Sequence, residues 1–179
     1  MKNNETEHDN EIDETTETND SPESSADSHF ESTYKLKANE QYVSEGYQYE
    51  TDKYGRIQRC EGTLRLEEGK RYGNHQLKAG GEYRLENDEG GHLIGNEFGG
   101  SGKVDNLVAM DYDLNRVKYN ELERGWRNEL EKGNQVDVQI ECKYSGESER
   151  PDYIIVKSKI TEPDGTERFQ YEKLKNEKG

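Results

Sequence analysis

Long apolar runs are missing from this chain. Nothing in its 179 residues approaches the ~18 consecutive apolar side chains of a membrane-crossing helix, and no apolar stretch follows the N-terminus as in a signal peptide. A soluble chain without a leader, and without a membrane partner, is the expectation. Cysteine is scarce as well: Cys60 and Cys142 are too few for a disulfide scaffold and lack the paired spacing of a structural zinc site. Two buried thiols or one disulfide remain open. Hydrophobic residues make up only 27% of the chain and aromatics 9%, which allows one domain with a thin core.

Acid is abundant, with 40 Asp and Glu against 25 Lys and Arg and a net charge of −15. It is unevenly spread. Residues 1–32 hold eleven acidic side chains and one basic one, Lys2, so two-thirds of the net charge sits in that segment. With almost nothing to bury, residues 1–32 are expected to form a disordered acidic tail, and residues 33–179 the folded domain. A solubilising tail, a partner-binding arm or a cover over a basic groove are the roles open to it.

Beyond residue 33 the text changes to short strands and turns. Gly46 to Asp52, a turn at Lys53-Tyr54-Gly55, and Arg56 to Leu66 read as a hairpin whose second arm turns Cys60, Gly62, Leu64 and Leu66 to one face. Val136, Val138, Ile140 and Cys142 alternate with polar residues, the period-2 pattern of a half-buried antiparallel strand. Another strand follows from Tyr153 to Ile160, and Pro163-Asp164-Gly165 turns it back into Arg168 to Tyr171. One helix is expected over about 115–132, with Tyr119, Leu122, Trp126 and Leu130 as its apolar stripe and Gly133 as its end. Glu67 to Gly102 reads as a long, glycine-rich loop, the kind of segment that carries function on a rigid frame.

Four histidines could do chemistry. His8 and His29 fall in the expected tail, which leaves His75 and His92. His92 lies in Asp88-Glu-Gly-Gly-His92-Leu-Ile, where glycines permit close approach of backbone or substrate. A histidine beside Leu93-Ile94 fits a structural role as readily as a catalytic one. On the helix, Glu123 and Arg127 share a face at i, i+4, which suits a solvent-exposed ion pair, and Asn115 suits an N-cap.

The run Asp88-Glu-Gly-Gly-His92-Leu-Ile, then Val-Asp105-Asn106-Leu-Val-Ala-Met110, Leu114-Asn115 and Leu122-Glu123 resembles the DNA/RNA non-specific endonucleases of the ββα-metal, or His-Me finger, superfamily. Within it the chain is most similar to the nuclease toxin domains at the C-termini of LXG-type proteins exported by the type VII secretion system. Gly62-Thr-Leu-Arg-Leu66, Arg84-Leu85, Tyr144-Ser-Gly146 and Arg150-Pro151 carry that likeness. The resemblance implies an α+β fold: an antiparallel β-sheet with a ββα-metal finger, its histidine on a strand or loop and its metal-binding Asn and Glu on one helix.

By the same resemblance His92 is the general base, Asn115 and Glu123 hold a Mg²⁺ or Mn²⁺ ion, and Arg127 contacts phosphate. The family's Asp-Arg-Gly-His block falls on Glu89-Gly90-Gly91-His92. Its arginine is therefore replaced by Gly90, and Arg84 is the expected substitute. Tyr119 stands where the family usually has Trp. The implied activity is hydrolysis of phosphodiester bonds in DNA, RNA or both without sequence preference, by a toxin effector that is secreted or cytoplasmic and met by a cognate immunity protein. A catalytically silent module of the same fold is the competing reading.

The chemistry asks for what these residues offer. Phosphodiesters repel hydroxide and have a poor leaving group, so a site needs a base active near neutrality and positive charge for the transition state. The basic residues Lys53, Arg56, Arg59, Arg65, Lys70, Arg71, Lys78, Arg116, Lys118, Arg124 and Arg127 are enough to line one groove, should they converge.

Overall fold

Period-2 alternation builds the frame. In the computed structural model, which describes residues 28–177, six antiparallel strands form one sheet in the order β10-β9-β8-β5-β4-β3. They are β3 (Gln41–Ser44), β4 (Tyr47–Thr51), β5 (Ile57–Thr63), β8 (Gln135–Lys143), β9 (Tyr153–Thr161) and β10 (Glu167–Lys175). Val136, Val138, Ile140 and Cys142 on β8 and Ile154, Val156 and Ile160 on β9 are all buried on one face, as the alternation requires. Cys60 and Cys142 are buried free thiols. Leu66 departs from expectation: β5 ends at Thr63, the in–out register is lost with it, and Leu66 is exposed.

The segment from Glu67 to Gly102 is not one long loop. It contains a short helix, α1 (Gly73–Lys78), a 3₁₀ turn (Gly81–Tyr83) and β6 (Asp88–His92). β6 pairs antiparallel with β7 (Leu107–Asp111), with His92 opposite Leu107. After β7 the chain enters a π-helical turn, Leu114–Tyr119, that runs straight into α2 (Asn120–Glu131). Tyr119 and Trp126 are almost wholly buried and Leu122 and Leu130 pack beside them, which is the expected stripe. Gly133 N–H to Leu130 O and Asn134 N–H to Glu129 O close the helix in a Schellman motif, with Gly133 at φ +90°. Two strands and a helix thus form a ββα finger docked on the large sheet.

Docking is done by tyrosines. The chain has 12 tyrosines against 3 phenylalanines, and several put their rings in the core while their hydroxyls hold the backbone of the connection between β6 and β7. Tyr47 donates to Phe98 O (2.5 Å), Tyr119 to Leu93 O (2.7 Å) and Tyr42 to Asp105 O (2.6 Å). Tyr49 donates to the side-chain oxygen of Asn106 (2.7 Å). Asn106, fully buried, also accepts from Ile94 N–H (3.0 Å) and donates to Ile94 O and Ser101 O (2.8 Å each). A buried loop backbone must find partners, and this one finds them in side chains.

Asp105 completes the joint. Its carboxylate accepts from Ser101 (2.6 Å), Ser44 (2.8 Å) and His29 Nε2 (2.9 Å), with the His29 ring stacked on Tyr42 at 4.0 Å. His29 therefore does not belong to a free tail. It is 2% exposed, and β1 (Phe30–Ser32) pairs with β2 (Lys35–Leu36) just after it. The acidic composition around His29 hides a histidine whose partner lies 76 positions away. The rest of the expected tail, with His8, lies outside the described residues.

Burial alone would raise the Asp105 carboxyl, but the bonds from His29, Ser101 and Ser44 hold it below the ordinary value. A depressed carboxylate contributes stability that is present above the unfolded-state value near 3.9 and lost as pH falls through the folded one. Asp105→Asn is thus expected to unfold more easily at neutral pH and to lose less stability on acidification. Asn106→Leu should cost about 2–4 kcal/mol, since it strands buried groups on Ile94, Ser101 and Tyr49. Urea denaturation across pH measures both.

Candidate active site

Each residue of the segment from Asp88 to His92 has its own constraint. Asp88 receives a two-pronged bond from Arg150 (2.7 and 2.9 Å), which anchors the start of β6. Glu89 accepts from Asn115 Nδ2 (2.8 Å) and Arg116 Nε (3.0 Å), tying the strand to the helix entrance. Gly90 lies against α1: a Cβ there would be 2.7 Å from Gln76 Cα, so no arginine can occupy this position while α1 packs as it does. Gly91 packs on Met110, and His92 ends the strand at the mouth of a cleft.

That cleft, of about 500 Å³, is lined by Glu68, Arg71, His92, Gly95, Asn96, Glu97, Asn115, Arg116, Asn120 and Glu123. His92, Asn115 and Glu123, picked out from sequence, are brought together here. His92 Nε2 is buried without a hydrogen-bond partner among the described residues. Burial, with Arg71 adding to it, pushes the His92 imidazole down to about 4, so the ring is neutral at physiological pH.

Glu123 is pushed the other way. Burial and the nearby Glu97 carboxylate raise it to about 7, against the opposing pull of Arg71 and Arg127. It makes no hydrogen bond or ion pair among the described residues, and its Oε2 fills the space where a side chain on residue 95 would begin, so Gly95 makes room for it. Asn115 gives its amide nitrogen to Glu89. Its oxygen is the atom left for a cation. No three His, Cys, Asp or Glu side chains among the described residues converge as a metal cage. One amide oxygen and one carboxylate nevertheless suit a hard cation that keeps most of its waters, as Mg²⁺ does.

Arg84 is not at the site. Its guanidinium donates to the carbonyls of Gln76, Leu77, Ala79 and Asp88 at 2.7–3.3 Å and holds α1 to the start of β6. A run of carbonyls contributed by a neighbouring turn outcompetes a role in the cleft, and only tertiary structure creates that run. Arg127 lies on the helix beside Glu123 but is paired with Glu97 at 2.5 Å. Of the basic residues expected to line a groove, Arg71 and Arg116 line the cleft. Arg56 is spent on Asp52 and the carbonyls of Gly146 and Ser148, Arg59 on Glu61, and Arg65 on Glu67. His75, the other candidate histidine, accepts from Val104 N–H and is buried.

Sequence reasoning missed Glu68, Asn96, Glu97 and Asn120, and grouped Arg71 only among many bases. Arg71 and Arg116 are the two arginines lining the cleft, and Arg71 has no ion-pair partner among the described residues. Its position just before α1, with Gly73 two residues on, is the only sequence signal that set it apart. Two variants test these assignments. Arg84→Ala should lower stability by about 1–3 kcal/mol in urea through the lost carbonyl bonds, while leaving any activity per folded molecule within a few-fold. Gly90→Arg should destabilise the fold by displacing α1 rather than improve the site, read as a fall in thermal midpoint.

Known proteins converge on this geometry. Residues 38–162 match the family model described as DNA/RNA non-specific endonuclease. The type VII secretion system protein EssD of Staphylococcus aureus, in strains USA300 and NCTC 8325 / PS 47, is 42% identical over 134 residues. That match covers 70% of this chain and 22% of the relative, so the chain spans under a quarter of the length of the curated relatives it matches. Among solved structures, an extracellular endonuclease superposes with a TM-score of 0.52 at 18% identity, covering 78% of this chain and 80% of the other. The α+β arrangement with a ββα finger on an antiparallel sheet is the fold that likeness supports. The family match spans five of the six strands of the sheet, the finger and every residue that lines the cleft, and the chain belongs to the DNA/RNA non-specific endonuclease family.

Proposed function

We propose that this chain is a metal-dependent endonuclease that hydrolyses phosphodiester bonds of DNA, RNA or both without reading sequence. The observation that carries the reading is the unpartnered, buried Nε2 of His92 in the same cleft as Asn115 and Glu123. His92, neutral at physiological pH, accepts a proton from the attacking water. Asn115 and Glu123 are the residues that would hold Mg²⁺ or Mn²⁺, and the bound ion would polarise the phosphate and offset charge on the leaving oxygen. Arg71 takes the phosphate-contact role first assigned to Arg84. Arg127 is available for the same work once Glu97 releases it. Nothing in the cleft resembles a base-reading element, which suits recognition through phosphate.

In this reading the nuclease unit begins by His29, which the fold buries, rather than at residue 33. The relationship to a type VII secretion system protein supports a secreted nuclease; a toxin role, and a cognate immunity protein to meet it, are part of the proposal. Among the described residues no helix is long and apolar enough to cross a membrane.

Plasmid and RNA digestion with Mg²⁺ or EDTA tests the activity. His92→Ala should lower the rate by about 10²–10⁴-fold, and EDTA should abolish cleavage. Equal nicking by wild type and variant, or full activity in EDTA, would defeat the proposal. Arg71→Ala should cost about 10²-fold at saturating cation and flatten the dependence of binding on salt by roughly one phosphate contact. The pH profile adds a signed test. Because Glu123 sits near 7, cation binding should tighten as pH rises from 6 to 8, whereas Glu97→Gln should lower the Glu123 value and shift that rise to lower pH, measured by calorimetry.

A further inference from the structure

β10 is the outer strand of the sheet, and its pairing accounts for only one of its edges. All nine residues pair with β9, and no strand lies on the other side among the described residues. Eight of the nine are exposed and only Leu174 is buried, with Phe169 73% and Tyr171 60% exposed side by side on the sheet's outer face. Long, flat edges bearing aromatic side chains are usually shortened, kinked by proline or bulged to stop further pairing. β10 has none of these three devices; its protection is the fourth common one, charged side chains, at Glu167, Arg168, Glu172, Lys173 and Lys175.

We propose that this edge pairs antiparallel with the β10 edge of a second copy of the chain, about a twofold axis through Gln170. The order Glu167-Arg-Phe-Gln-Tyr-Glu-Lys173 is complementary to itself when reversed. Centred on Gln170, Glu167 faces Lys173 of the second copy, Arg168 faces Glu172, and Phe169 faces Tyr171, each combination occurring twice by symmetry. Opposed residues in an antiparallel pair project to the same face, so Phe169 and Tyr171 meet on the outer face and Arg168 and Glu172 on the helix side.

Other registers lose this match. An axis through Tyr171 leaves Glu167 with Lys175 as the one opposite-charge combination and sets Arg168 against Leu174. An axis through Phe169 leaves none, and one through Glu172 opposes that glutamate to itself. Complementarity therefore selects one register. Arg168 is paired within its own chain to Glu129 and Glu162 and would turn to Glu172 of the second copy on association, while Glu172 has no ion pair among the described residues. None of the residues lining the cleft lies on β10, so the pairing uses no side chain of the cleft.

Sedimentation equilibrium of the 179-residue chain, from micromolar to sub-millimolar concentration, is expected to give twice the 20.7 kDa chain mass at the upper end. Glu172→Lys should return it to the single-chain mass by opposing lysine to Arg168, and Arg168→Glu combined with Glu172→Lys should restore the dimer. Circular dichroism checks that each variant folds. Gln170→Cys places two thiols on the axis, and with Cys60 and Cys142 buried it should give a covalent dimer on mild oxidation, whereas Lys175→Cys should not. A single-chain mass at every concentration overturns the proposal, as does a dimer that Glu172→Lys leaves intact. Protection from hydrogen exchange of the β10 amides that point away from β9, in a single-chain species, would mean that another segment covers the edge, and overturns it equally.

Discussion

The buried joint at Asp105 and Asn106 is what the rest of the structure depends on. A ββα finger has little apolar surface of its own, and the connection between its two strands carries Gly95, Asn96 and Glu97 into the cleft. Running that connection through the interior would leave many backbone groups unpaired, each costing about 1–3 kcal/mol. The two side chains prevent this in different ways. Asn106 uses both its amide oxygen and its amide nitrogen twice, imitating a strand partner for Ile94 and Ser101. Asp105 gathers three donors from three segments, β3, the connection itself and the turn that holds His29. Tyrosine dominates over phenylalanine for the same reason: a ring fills the core while its hydroxyl reaches a carbonyl that no strand can satisfy.

The same rigidity explains how an acidic chain can offer a site for a polyanion. Glu68, Glu97 and Glu123 line the cleft together with only two arginines, so an approaching phosphate meets carboxylates. Like charges about 4 Å apart near a protein surface repel by about 4 kcal/mol at an effective dielectric constant of 20. Flexible carboxylates would relax away from one another. Here Glu123 is held beside Gly95 by the helix that carries it, and its burial first, with the Glu97 carboxylate second, raises its proton affinity. In the proposed reading, carboxylates held together against their mutual repulsion would favour a cation, and a bound cation would reverse the sign of the field that a phosphate meets.

Much of this was legible in the sequence because it depends on local pattern. The alternation from Val136 to Cys142 and the stripe from Tyr119 to Leu130 each need only the period of one element, and the structure reproduces both. His92, Asn115 and Glu123 were legible through the order and spacing of their family motifs, and the finger brings them to one cleft. What stayed hidden depends on contacts between distant segments. The partner of His29 is Asp105, the partners of Arg84 are carbonyls created by α1, and Glu97 meets Arg127 only after the connection folds back. Leu66 failed for a related reason, since the point where a strand ends is set by its neighbours rather than by its own alternation.

Gly90 shows how such distant contacts reshape a catalytic block. An arginine on β6 would bring charge to the site from a rigid strand, with its orientation fixed before substrate arrives. In this chain α1 occupies that space, pressed against Gly90 and held there by Arg84. The helix and the arginine exclude each other, and with Arg116 paired to Glu89 the unpaired positive charge in the cleft comes from the segment leading into α1, where Arg71 is exposed and has no ion pair among the described residues. A side chain in that position loses up to about 2 kcal/mol of rotamer entropy when it closes on a phosphate. With Arg71 in its proposed role, the packing of α1 would shift part of the ordering of the site from folding to substrate binding, where contacts with the phosphate backbone would offset it.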